Sequence, residues 1–144
     1  MAFTGNFMCT SFKQELMEGK HNFLNSGGNT FRLALYTNSA SFTAATTAYT
    51  SGNEISGTGY TAKGNSLTRI NPSTSGTTAL TDFDNSAWTS SSITARGALL
   101  YNDTASGDPT CLVLDFGGDK SSSSGTFTVQ FPAPDASNAI IRIA

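Results

Sequence analysis

Thr126-Phe127-Thr128-Val129-Gln130-Phe131 sets Phe127, Val129 and Phe131 on one side of an extended chain and Thr126, Thr128 and Gln130 on the other. Successive side chains of a strand point to opposite faces, so a period of two specifies a strand with one face buried. Working outward, Phe31-Arg32-Leu33-Ala34-Leu35-Tyr36 repeats the pattern with Phe31, Leu33 and Leu35 on one face. Cys111 to Phe116 is apolar at nearly every position, as expected of a central strand covered on both sides. Further strands are expected at Tyr60 to Lys63, Ser66 to Asn71, Thr78 to Asp82, Ile93 to Tyr101 and Ala139 to Ile143. A spacing of about 8 to 12 residues between turn signals predicts an all-β fold, an antiparallel β-sandwich of jelly-roll or Ig-like type. The 144 residues fit a single domain with one core.

The connections agree with that reading. Gly117-Gly118-Asp119-Lys120 with Ser121 to Gly125 is expected to be a hairpin connection between two strong strands, and Asn71-Pro72 through Gly76 another turn. Pro132 and Pro134 close a strand because proline donates nothing to a ladder. One short N-terminal helix is expected at Ser11 to Glu18: Ser11 and Gln14 fit a capping box, Phe12, Leu16 and Met17 share a face, and Gly19 is a stop. From Asn38 to Gly59 the chain is rich in Ser, Thr, Ala and Gly, which predicts a long loop with a helical turn near Phe42 to Ala48. Long loops of this kind usually make contacts or carry function. Phe12, Leu16 and Met17 on the helix and Phe42 and Tyr49 on the loop are therefore the candidate assembly contacts.

Only 12% of the residues are charged, and roughly a quarter are Ser or Thr. The net charge of -2 and the scattered lysines and arginines form no basic stripe, so no nucleic acid partner is expected. No apolar run is long enough for a bilayer and the start carries no leader pattern, so no membrane is expected, and synthesis is expected in a reducing cytoplasm. Cys9 and Cys111 are then expected as buried thiols rather than a disulfide, with later oxidation open to a protein released by cell lysis.

A search for chemistry finds nothing that converges. His21, the one histidine, has no ligand set at zinc spacing and reads as a surface or loop residue. The many serines include no nucleophile-elbow motif. Asp82-Phe83-Asp84-Asn85-Ser86 begins like a calcium loop, but Ala87 stands where the turn glycine belongs and Ile93 where the bidentate Glu belongs. It reads instead as an Asx-rich turn, and Asp103 and Asp108 as solvated turn residues. Gly19-Lys20 and the Gly57, Gly59 pair lack the remainder of a phosphate loop. Neither a metal, nor a cofactor, nor catalytic residues are expected. Trp88, with Tyr36, Tyr49, Tyr60 and Tyr101 in the chain, is the candidate aromatic platform for a sugar, against the commoner fate of a lone tryptophan, burial in the core.

Thr94 to Asn102 (TARGALLYN), Leu114 to Lys120 (LDFGGDK) and Gly125 to Pro132 (GTFTVQFP) resemble small structural proteins of tailed bacteriophages, cyanophages included. Phe3 to Phe7, Cys9 to Lys13 and Ala139 to Ala144 are similar to the same group. The resemblance implies a virion component, a capsid decoration or cement protein, that contacts other virion proteins and forms a homo-oligomer. The alternatives are a tail, neck or fibre component, or a carbohydrate-binding host-attachment module. It carries over no catalytic residue.

Overall fold

One long antiparallel ribbon organises the chain. The structure is a computed structural model and describes residues 3–144. β6 (Ser86–Ser91) runs on into β7 (Thr94–Asn102), and the chain turns back as β8 (Thr110–Ser121) and β9 (Gly125–Val129). Ser86 pairs with Val129, Trp88 with Phe127, Thr94 with Ser121 and Leu99 with Val113, so both arms belong to a single hairpin. That hairpin folds across the core where β6 gives way to β7. The register slips between Trp88 and Ser91, and Ser90 and Ser124 take positive φ of 47° and 46°. Such irregularities bend a strand and strengthen its twist. Ser91 is buried at the corner, its hydroxyl 2.9 Å from the Trp88 carbonyl, 3.1 Å from that of Gly125 and 2.7 Å from the Ser122 hydroxyl. Gly59 passes so close that a Cβ there would lie 2.8 Å from the Ser91 Cα.

Beyond the corner the ribbon joins two layers. β7 and β8 are the middle of a five-stranded sheet ordered β1-β8-β7-β2-β3, with β1 at Phe7–Met8, β2 at Phe31–Tyr36 and β3 at Asn65–Ser66. β6 and β9 pair with each other, and β4 (Arg69–Ser75), β5 (Thr78–Phe83) and β10 (Ile141–Ile143) form a sheet ordered β10-β5-β4. Every named strand pairing is antiparallel. The layers meet through one apolar core, with Phe83 of β5 5.9 Å from Phe31 of β2 and Phe31 stacked on Phe23 at 4.3 Å. Burying Phe31, Leu33 and Leu35 of β2 stabilises the sheet by about 2 kcal/mol each. The fold is thus all-β, a sandwich with one short helix.

Several elements depart from expectation for local reasons. Residues 60–63 form no strand: Tyr60 donates to the Gly57 carbonyl, Gly64 to that of Thr61, and Lys63 has φ 78°. The segment expected at Ser66 to Asn71 is divided between β3 and β4, and β4 runs on through Pro72 to Ser75. Proline is accommodated because the register shifts between Ile70 and Ser73. Gly117 to Lys120 stays inside β8 as a wide bulge, since Gly97 faces Asp115 while Ala95 faces Lys120. The expected hairpin does not form, because β8 and β9 do not pair with each other: residues 122–124 only bend one arm of the ribbon at its corner. β9 ends at Val129, and the Phe131 N–H donates to Asn85 Oδ1 rather than to a ladder.

Helix α1 spans Thr10–Met17, with Cys9 at its N-cap and no side-chain cap. Ser11 lies inside the helix, so the expected capping box does not form, and Gln14 bonds Glu18 at 2.7 Å. Gly19 ends the helix as expected, at φ +72°. Residues 38–59 contain no helical turn. They lie against the core through Ala40, Phe42 and Ile55 and are tied down by Thr10 N–H to the Ala44 carbonyl and Tyr49 N–H to that of Asp108.

Candidate functional site

The residues singled out in the sequence divide by where they point. Phe12 is fully buried in the core, and Leu16 packs against it. Met17 alone of the helix trio faces outward, 85% exposed. Helical spacing put the three on one broad stripe, but eight residues have only one side toward the sheet. Phe42 is buried between Phe3, at 5.7 Å, and Tyr36, at 4.7 Å. The loop contact expected of Phe42 is therefore made within its own domain.

Trp88 corrects the reading as a sugar platform. It is 3% exposed, held between Tyr60 and Phe127 at 6.1 Å from each, because β6 turns Ser86 and Trp88 inward and Ala87 and Thr89 outward. The tyrosines are anchored rather than presented. Tyr49 and Tyr60 each donate to the Glu54 carboxylate at 2.6 Å, and the Lys63 N–H adds a third bond at 2.7 Å. Burial first, and then the Glu54 carboxylate, holds both phenols protonated far above the usual tyrosine range. Tyr36 donates to the Thr50 carbonyl and Tyr101 to that of Lys63. These bonds fasten the long loop to the sheet.

His21 is buried, which corrects its assignment as a surface residue. Its ring lies 4.9 Å from that of Phe12 and 6.2 Å from that of Phe31, in the space where the helix crosses the sheet. Its Nδ1 is 3.0 Å from Asn102 Nδ2, and its Nε2 is 3.6 Å from Glu15 Oε2, which is ion-paired to Lys20 at 3.0 Å. Asn102 is itself fully buried: its amide also donates to Asn29 Oδ1, and its oxygen accepts the N–H groups of Thr104 and Ala105. Around the same turn Lys63 reaches Asp103 and Asp108, and Arg32 reaches Asp103 at 2.8 Å. The acids expected to be solvated turn residues are thus part of an ion-pair network. The tip of the ribbon is a polar clamp, and a groove of about 340 Å³ lies beside it between the helix and Ser106, Gly107 and Pro109.

The larger space lies on the opposite flank. β8 is covered on its outer edge by β1 only at Leu112 and Val113, after which the Asp115 N–H donates to Asn6 Oδ1. β9 pairs with β6 alone, so its other edge has no strand partner among the described residues. Between these edges lies an open groove of about 680 Å³, whose floor is Leu114, Phe116, Phe127, Val129, Phe131 and Ile140. Thr126, Thr128, Gln130 and Lys120 form its exposed rim. Bare strand edges over an apolar floor offer main-chain hydrogen bonds and pockets together, the chemistry of association by strand addition. Neither expected feature of the sequence, helix or loop, located this groove.

No protein-family model, curated protein or solved structure matches the chain. No helix among the described residues is long and apolar enough to cross a membrane. The class that fold and site define is a β-sandwich with one open flank.

Proposed function

We propose that this chain is a structural subunit of a tailed-phage particle, a capsid decoration or cement protein that works by contact with neighbouring subunits. The observation that carries the reading is the open flank. Two of the stretches that resemble phage structural proteins, Leu114 to Lys120 and Gly125 to Pro132, are the ones that border it. A sparsely charged surface rich in Ser and Thr loses little side-chain entropy on ordering, which suits close repeated packing. Closure into a symmetric ring or trimer would cover the bare edges. Mass spectrometry of extensively washed particles is expected to find the chain in fixed ratio to the major capsid protein. Its complete absence from washed particles would overturn the proposal. Copies in ratio to tail proteins instead would move the subunit to the tail or neck.

A further inference from the structure

Cys9 follows β1 directly, one residue beyond the pairing of Phe7 with Val113 and Met8 with Leu112, which brings it across from Cys111, the extra residue of a bulge between the Leu100–Leu112 and Tyr101–Thr110 pairs. The Cys9 N–H donates to the Cys111 carbonyl at 2.9 Å. Directly opposed residues of an antiparallel pair have Cα atoms about 4.5 to 5.5 Å apart and side chains on one face. A disulfide spans about 4.4 to 6.8 Å between Cα atoms. Both cysteines are free and fully buried.

We propose that Cys9 and Cys111 are a latent cross-strand disulfide, an oxidation site that staples the N-terminal arm to the central ribbon. The oxidant is a low-molecular-weight disulfide such as oxidised glutathione. The thiolate of one cysteine attacks a sulfur of the reagent and expels one glutathione thiolate, leaving a mixed disulfide. The second cysteine gives up its proton and attacks the protein sulfur of that mixed disulfide. The protein S–S bond forms, the second glutathione thiolate leaves, and the two protons end on the released thiols.

Burial pushes both thiols up, so the closed fold reacts slowly and the pair persists reduced in a reducing compartment. Reaction proceeds when the two-residue strand β1 lifts. The staple has a definite structural effect, because β1 is what covers the upper edge of β8. Locking it fixes where the open flank begins.

The test equilibrates the whole protein with oxidised glutathione, once in buffer and once at its urea midpoint so that access does not limit reaction, and then blocks and maps the thiols. The expected product is lighter by two hydrogens, yields a Cys9–Cys111 cross-linked peptide, and has a Tm raised by about 10 °C. Dithiothreitol reverses the rise, and Cys9→Ala and Cys111→Ala, each checked for folding by circular dichroism, show none. Separate glutathione adducts on the two cysteines, a dimer linked between chains, thiols still free at the urea midpoint, or a disulfide that lowers Tm would each overturn the proposal.

Discussion

The two ends of the folded ribbon are finished in opposite ways. At its tip, between β7 and β8, a network of polar groups is paired inside the domain: Asn102 with His21 and Asn29, Lys63 and Arg32 with two aspartates, Glu54 with two tyrosines. At the other end, past the corner, β9 keeps an edge unpaired among the described residues, beside Phe116 and Phe131. One end consumes its hydrogen-bonding capacity to fix shape, and the other keeps that capacity for something outside. A partner is therefore to be sought on the flank, although the densest ion pairing is at the tip.

Substitution should separate the ends sharply. Asn102→Ala leaves buried donors and acceptors unsatisfied at the centre of the clamp, and should cost about 3 kcal/mol in urea unfolding. A loss below about 1 kcal/mol would mean that the tip is not a cooperative network.

The next effect depends on pH. Burial, opposed in part by Glu15, lowers the His21 pKa, so the folded chain binds a proton less readily than the unfolded chain. The sign follows from linkage: His21 leaves stability intact above pH 6.5 and subtracts from it as pH falls from there toward its folded value. The geometry agrees. Asn102 donates to Nδ1 and cannot turn over, because its oxygen is already bonded to Thr104 and Ala105, so a proton on Nδ1 meets another donor. Urea midpoints at neutral pH and near pH 5.5 should fall less in His21→Phe than in the parent. Equal slopes would remove His21 from the clamp's pH response.

The smallest effect is expected on the flank. Thr128→Lys with Gln130→Lys alters only exposed rim positions and should shift monomer stability by less than about 0.5 kcal/mol. The same pair should weaken association measured by light scattering or particle binding. A stability loss as large as that of Asn102→Ala would erase the contrast between the ends.

Strands bounded by clear turns and carrying strict alternation were legible in the sequence: β2 matches its expected limits, and β5 and β7 fall within one residue of theirs at each end. The corner was not. Ser90, Ser91 and Ser92 show no period, and the strand β6 is written by Ser86, Trp88 and Ser91 facing inward, two of them too small and polar to signal a core. His21 was misread because its surroundings are assembled from afar: Asn102 lies 81 positions away. The open flank was hidden for a related reason. Phe127 and Phe131 announce a buried face, but only the ordering of the sheets reveals that β9 has no second neighbour among the described residues.

The ribbon also dictates when the chain can fold. Its tip closes over a short connection, while β2 must wait for β7, and β1 must wait for residues 112 and 113 of β8. During synthesis, then, β4 and β5 can pair early, but the first ninety or so residues lack the central strands β7 and β8. The hairpin zips from its tip after both arms have left the ribosome, the helix and long loop settle on it afterwards, and the N-terminal arm docks late. Nearly the whole of translation passes with the Phe31, Leu33 and Leu35 face uncovered, so a slow exit of the last third should be felt first as aggregation.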